Sequence, residues 1–166
     1  MHAVFRTLTL GLPLTLGAPS AALACTICLC TASLSTPVAF GNYNPVTASP
    51  TDIVGQIAFS CLIVTLNPTA GIAYDIRLSR GQAGTYASRQ MAGPGGARLN
   101  YNLHTTAARS TVWGDGTGGS SFISDSGTVR LIDGYVRNYS VFARLPPNQY
   151  VRGGAYTDTI VVTVTF

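Results

Sequence analysis

The chain has 166 residues, with ten cations, all arginine, against six acids, all aspartate, for a formal charge of +4. That length holds one ordinary domain and not two comfortable ones. The arginines are scattered singly, which leaves no clustered surface for a nucleic acid and reads as solvated strand faces and turns.

Lys and Glu, two of the best helix formers, are absent, while Thr, Val, Tyr and Gly abound, so the composition points to β structure. At the N-terminus, Arg6, the apolar run "TLTLGLPLTLGAPSAA" and the small-x-small triplet Ala22-Leu23-Ala24 read as a secretory leader over 1–24. Its removal leaves a mature chain, 25–166, that starts at Cys25. A lipidation signal usually carries leucine where Ala22 stands, so a cleaved leader is preferred to a lipid anchor at Cys25. No later stretch approaches the roughly 18 apolar residues of a membrane span, so no integral membrane segment is expected.

The four cysteines, Cys25, Cys28, Cys30 and Cys61, would all enter an oxidising compartment, where three pairings are open to them. A zinc site in "CTICLC" would need a second ligand pair, and only Cys61 and the distant His104 are on offer.

Taken in chain order, 35–43 ("STPVAFGNY") is the expected first strand. In 52–61, Ile53, Ile57, Phe59 and Cys61 share a face. In 72–79, Ile72, Tyr74, Ile76 and Leu78 do the same, and in 98–104, Leu99, Tyr101 and Leu103 point inward. Further strands are expected over 127–132 and 138–145, the latter with Tyr139, Val141, Ala143 and Leu145 on the core side. Over 157–166 one closing strand alternates Ile160, Val162, Val164 and Phe166 against threonines. Breakers separate these runs at 67–71, 92–96, 114–119 and 145–149. No window outside the leader keeps helical periodicity. The expectation is one all-β sandwich domain with essentially no helix.

No credible active site emerges. "GDGTGG" (114–119) has no helix behind it to present amides to a phosphate. Asp115 and Asp125 flank that loop but lack the ligand spacing of a calcium site. His104 is placed on the outward face of its strand, and no G-x-S-x-G elbow supplies a nucleophile. Neither an enzyme, a cofactor nor a metal is expected.

In this order the motifs resemble the spore coat protein U domain family, which includes subunits of archaic chaperone–usher pili. The resemblance rests on Cys30 followed by "TPVAFGNY" (Phe40, Gly41, Tyr43), on Cys61, "YDIRLSRG", Arg89-Gln90-Met91 and "LNYNL". It extends through "WGDG" (Trp113, Gly114, Asp115), "YSVFARLPPNQ" and "GAYTDTIVVTVTF" (Tyr156, Asp158). His104 stands where the family often has tyrosine, Ala143 where it often has glycine, and Cys25 and Cys28 look extra.

The resemblance implies an immunoglobulin-like sandwich that lacks its last strand, which a periplasmic chaperone lends and a sibling subunit later replaces at an outer-membrane usher. It therefore implies export through the periplasm to a surface fibre or coat, with Ile160, Val162, Val164 and Phe166 along the assembly edge. Some five uncovered inward side chains at ~1.5–3 kcal/mol each would cancel the stability of an ordinary domain. A Cys30–Cys61 bridge between the first two strands is expected, with Cys28 as the competing partner. Residues 25–29 alternate Cys25, Ile27 and Leu29 but reach only ~17 Å, which fits a subunit that accepts a strand without donating one. The rival reading is a self-sufficient secreted binding module whose loops, Trp113 and "GDGTGG" among them, grip a ligand.

Overall fold

The computed structural model of this chain describes residues 27–166, and 2–5 as backbone. The expected leader core with its cleavage site, Arg6 and Cys25 lie outside the described residues. Among the described residues ten strands form in chain order: β1 (His2–Phe5), β2 (Cys28–Thr36), β3 (Thr51–Ile63), β4 (Thr69–Leu78), β5 (Arg89–Ala92), β6 (Arg98–His104), β7 (Ile123–Arg130), β8 (Tyr135–Leu145), β9 (Thr157–Ile160) and β10 (Val162–Thr165). The only helical elements among the described residues are two three-residue 3₁₀ turns, Gly81–Ala83 and Pro94–Gly96. No described helix is long and apolar enough to cross a membrane.

The strands make two sheets that pack as a sandwich. The larger has the order β1-β9-β5-β6-β8-β3-β2 and the smaller β10-β4-β7, all antiparallel except the β1–β9 pair. Period-2 alternation explains which residues fill the space between them. Ile57, Phe59 and Cys61 of β3 are buried, as are Ile72, Tyr74, Ile76 and Leu78 of β4, Leu99, Tyr101 and Leu103 of β6, and Val141, Ala143 and Leu145 of β8.

Two strand expectations need correction. The first long strand is β2, upstream of the expected 35–43. Residues after Thr36 leave the ladder, and Val38 and Phe40 turn inward as a buried crossing segment. Gly55 lets that crossing lie on β3, since a Cβ there would stand 2.7 Å from Val38 Cγ2. The second correction is the C-terminal strand. It breaks at Val161, so β9 belongs to the large sheet and β10 to the small one.

Cys30 and Cys61 face each other directly across the β2–β3 ladder, Cα atoms 4.0 Å apart, and form the expected disulfide. Cys28 is disulfide-bonded as well, and no described cysteine is free. The Cys30–Cys61 bridge spans 31 positions. Replacing both cysteines by alanine should lower stability by about 3–4 kcal/mol on the chain-entropy estimate, read as the shift in urea midpoint.

Candidate assembly edge

The C-terminal strand runs along the border of both sheets. On one side, β9 meets β5 at Thr157–Ala92, and β10 pairs with β4 in the register Val162–Leu78 to Thr165–Asp75. On the other side, β9 carries β1 in parallel, His2 opposite Thr157 and Phe5 opposite Ile160. No described strand pairs with the outer side of β10. The edge is thus filled along its first half by the chain's own N-terminal segment and open along its second.

The sheet switch that makes this edge is held by one serine. Ser79 donates its amide to Val161 O at 2.9 Å, and its hydroxyl accepts the Val161 amide at 2.9 Å. The Ser79 carbonyl accepts two bonds from Arg89, from Nε at 3.0 Å and Nη2 at 2.8 Å. Arg89 also donates to Asn102 Oδ1 at 2.7 Å and to Trp113 O at 2.7 Å, and it is fully buried. Burial pulls the guanidinium below its ordinary value, opposed by the nearby tyrosines and Asp158. A planar fork of five donors suits this cluster of acceptors in a way no other side chain does.

Asp158 completes the anchorage. Also fully buried, its carboxylate accepts the Tyr101 hydroxyl at 2.8 Å, the Gln82 amide at 3.0 Å and the Thr159 amide at 2.7 Å. Burial and this carboxylate push the Tyr101 phenol far above its usual range. Gly81, at φ +66°, leaves room for it, because a Cβ there would collide with the Asp158 side chain.

The arginines are therefore not all solvated, as the sequence reading had them. Arg89 and Asp158, named in the sequence only among the motifs of the resemblance, are buried here, and both carry a legible signal of it. Arg89 shares a face with Met91, and Asp158 with Tyr156 and Ile160, so simple alternation puts each inside.

Of the expected edge residues, Ile160 is fully buried and Val164 almost so, while Val162 and Phe166 are half-buried against the core. The break at Val161 places Ile160 and Val164 in different sheets instead of on one continuous face.

The motif residues are mostly interior. Phe40 packs edge-on against Tyr101 at 5.9 Å between ring centroids. Gly41 turns at φ +68°. The Tyr43 hydroxyl donates to Pro146 O at 3.0 Å and accepts the Gln149 amide at 2.9 Å, tying two loops together. Tyr156 is buried with its hydroxyl on Arg152 O. Trp113, expected as a ligand grip in the rival reading, is fully buried and donates Nε1–H to Ile76 O at 2.9 Å. Gly114 accepts the Leu78 amide at 3.1 Å.

The carboxylates of the "GDGTGG" region serve local structure. Asp115 accepts the Thr117 amide at 2.8 Å and its hydroxyl at 2.6 Å, closing an Asx turn. Asp125 accepts the Tyr139 hydroxyl at 2.6 Å, the main reason its carboxyl lies below the usual range. No group of three or more metal-ligating His, Cys or acidic residues occurs among the described residues.

His104 is a further correction. It is buried rather than outward, with Nδ1 3.1 Å from Phe142 O. Burial, reinforced by Arg109 and Arg144, pulls it below its ordinary value and keeps the ring neutral near pH 7.

The family model for the Spore Coat Protein U domain matches residues 17–163, and no curated protein matches the chain.

Proposed function

This chain belongs to the spore coat protein U domain family, and from that premise we propose that it is an exported structural subunit of a surface fibre or coat. In this reading a periplasmic chaperone, an outer-membrane usher and sibling subunits handle it by strand complementation, and it carries out no catalysis. The observation that carries the reading is the C-terminal edge. There β9 takes a strand from the expected leader, in parallel, and β10 offers its backbone to no described strand. Removal of the leader during export would leave the whole edge from Thr157 to Thr165 ready for a strand from another chain. The cross-strand disulfide suits passage through an oxidising compartment. The rival binding-module reading loses its anchor with Trp113 buried.

The test is periplasmic expression with and without the cognate chaperone. The chain should accumulate only with the chaperone present, and a stable, protease-resistant monomer made without help would overturn the proposal. Within the edge, Ile160→Asp and Val164→Asp should each cost several kcal/mol and abolish chaperone co-purification, since each buries an unpaired charge. Thr159→Asp, on the exposed side of β9, should stay within about 0.5 kcal/mol of the parent and keep binding.

A further inference from the structure

Most of the large apolar side chains exposed among the described residues gather at one end of the sandwich, away from β9 and β10. Leu29 of β2 stands directly opposite Leu62 of β3. Val136 of β8 is opposite Ser60, the next residue on the same face of β3 as Leu62. Val64 and Leu66 continue the chain beyond β3. Leu131 donates its amide to Pro68 O at 3.0 Å, which ties the β7–β8 turn, with Ile132 on it, to that loop. Leu66 is 94% and Ile132 93% exposed, so neither contributes to the core. A contiguous apolar surface of this kind marks a contact face.

Its rim carries charge of both signs on a single turn. Arg130 and Asp133 are exposed, and the four ion pairs of the described residues use neither. Arg137, also exposed, donates to the Tyr135 hydroxyl at 3.2 Å and lies 4.0 Å from Asp125.

We infer that this end of the sandwich is the face on which a second copy of the chain docks, through a two-fold contact. An isologous contact needs a surface complementary to itself. An apolar centre flanked by one free cation and one free anion meets that need, because the two-fold brings Arg130 of one copy to Asp133 of the other in both directions. An anionic membrane would welcome Arg130 and Arg137 but meet Asp133 between them. The chain N-terminal to Ile27 is the other candidate cover, since the Ile27 carbonyl accepts the Val64 amide at 2.9 Å and so enters at this end.

Sedimentation velocity over a concentration series tests the contact on the full 166-residue chain. In that form β1 already fills the edge of β9, so failure of the assembly reading leaves the measurement intact. The chain should dimerise reversibly. Leu66→Asp and Ile132→Asp should each weaken the dimer by about tenfold or more without lowering the melting temperature. Val46→Asp, exposed near the opposite end of β3, should leave the dimer unchanged. Arg130→Asp and Asp133→Arg should each weaken it, and the double swap should restore it. A monomer at every concentration overturns the inference, as does a dimer indifferent to Leu66→Asp and Ile132→Asp. Binding to phosphatidylserine vesicles that Leu66→Asp abolishes would assign the face to lipid instead. A chain that dimerises only after removal of residues 1–24 would assign it to the leader.

Discussion

Raising the pH past about 10 will unfold this protein steeply, whereas roughly pH 7 to 9 will leave its stability nearly flat. The chain has no lysine and no described cysteine is free, so the alkaline window belongs to its buried tyrosine phenols. Burial raises the phenols of Tyr74, Tyr86 and Tyr101, all nearly inaccessible, and that of half-buried Tyr139.

Each of these hydroxyls has a partner that an anion would lose or repel. Tyr86 donates to Leu78 O, Tyr101 to Asp158, Tyr139 to Asp125, and Tyr74 shares its hydroxyl with Tyr135 and Tyr139. In the unfolded chain they ionise at about 10, while in the fold they stay protonated. The folded state then binds more protons, and stability present below pH 10 is lost as the pH rises. The slope is about 1.4 kcal/mol per pH unit for each phenol so held. With several acting together, the 5–15 kcal/mol of an ordinary domain is gone within about two to three pH units. Urea midpoints from neutral to strongly alkaline pH, followed with tyrosinate absorbance, check this. Ionisation of all the tyrosines near pH 10 in a chain that keeps its fold would refute it.

The same residues show how far the sequence carries. Where apolar side chains alternate without interruption, as in β3, β4, β6 and β8, their placement and inward faces followed from period 2 alone, because burial of one face is a local property of the strand. β2 was misplaced because "CLCTASLST" is small and weakly apolar. Its partner β3 and the Cys30–Cys61 bridge fix it as a strand, and both lie far away in sequence. The break at Val161 was equally hidden. The pattern "TDTIVVTVTF" alternates straight through it, and the switch depends on Ser79, some eighty residues upstream. His104 escaped because the alternation ends there, with Leu103 and His104 both buried at the end of β6. Sequence gave strands and faces well. It gave poorly those features in which a polar side chain from one sheet organises the other.

Replacing Arg89 by leucine should be among the most damaging single substitutions. Leucine fills part of the space but leaves Ser79 O and Trp113 O without their donor, and Asn102 Oδ1 with the Leu103 amide alone. An unsatisfied buried acceptor costs about 1–3 kcal/mol, so two of them should cost about 2–6 kcal/mol. Arg89→Lys keeps the charge but offers a point ammonium in place of a planar fork, and one nitrogen cannot reach acceptors on three different segments. It should recover only a part. Arg98→Leu, an exposed control, should change stability by no more than about 0.5 kcal/mol. The effect should also be directional. Arg89 holds the Ser79 carbonyl, and Ser79 holds Val161, so the Val161 amide should lose hydrogen-exchange protection beyond the global loss, together with β9 and β10. If Arg89→Leu stays within about 1 kcal/mol of the parent, or Val161 keeps its protection, the clamp does not hold the edge. If both effects appear, the C-terminal edge is organised from inside the fold before any second strand arrives. An incoming strand would then meet a border already in register and would need to order only itself, which lowers the entropy cost of joining.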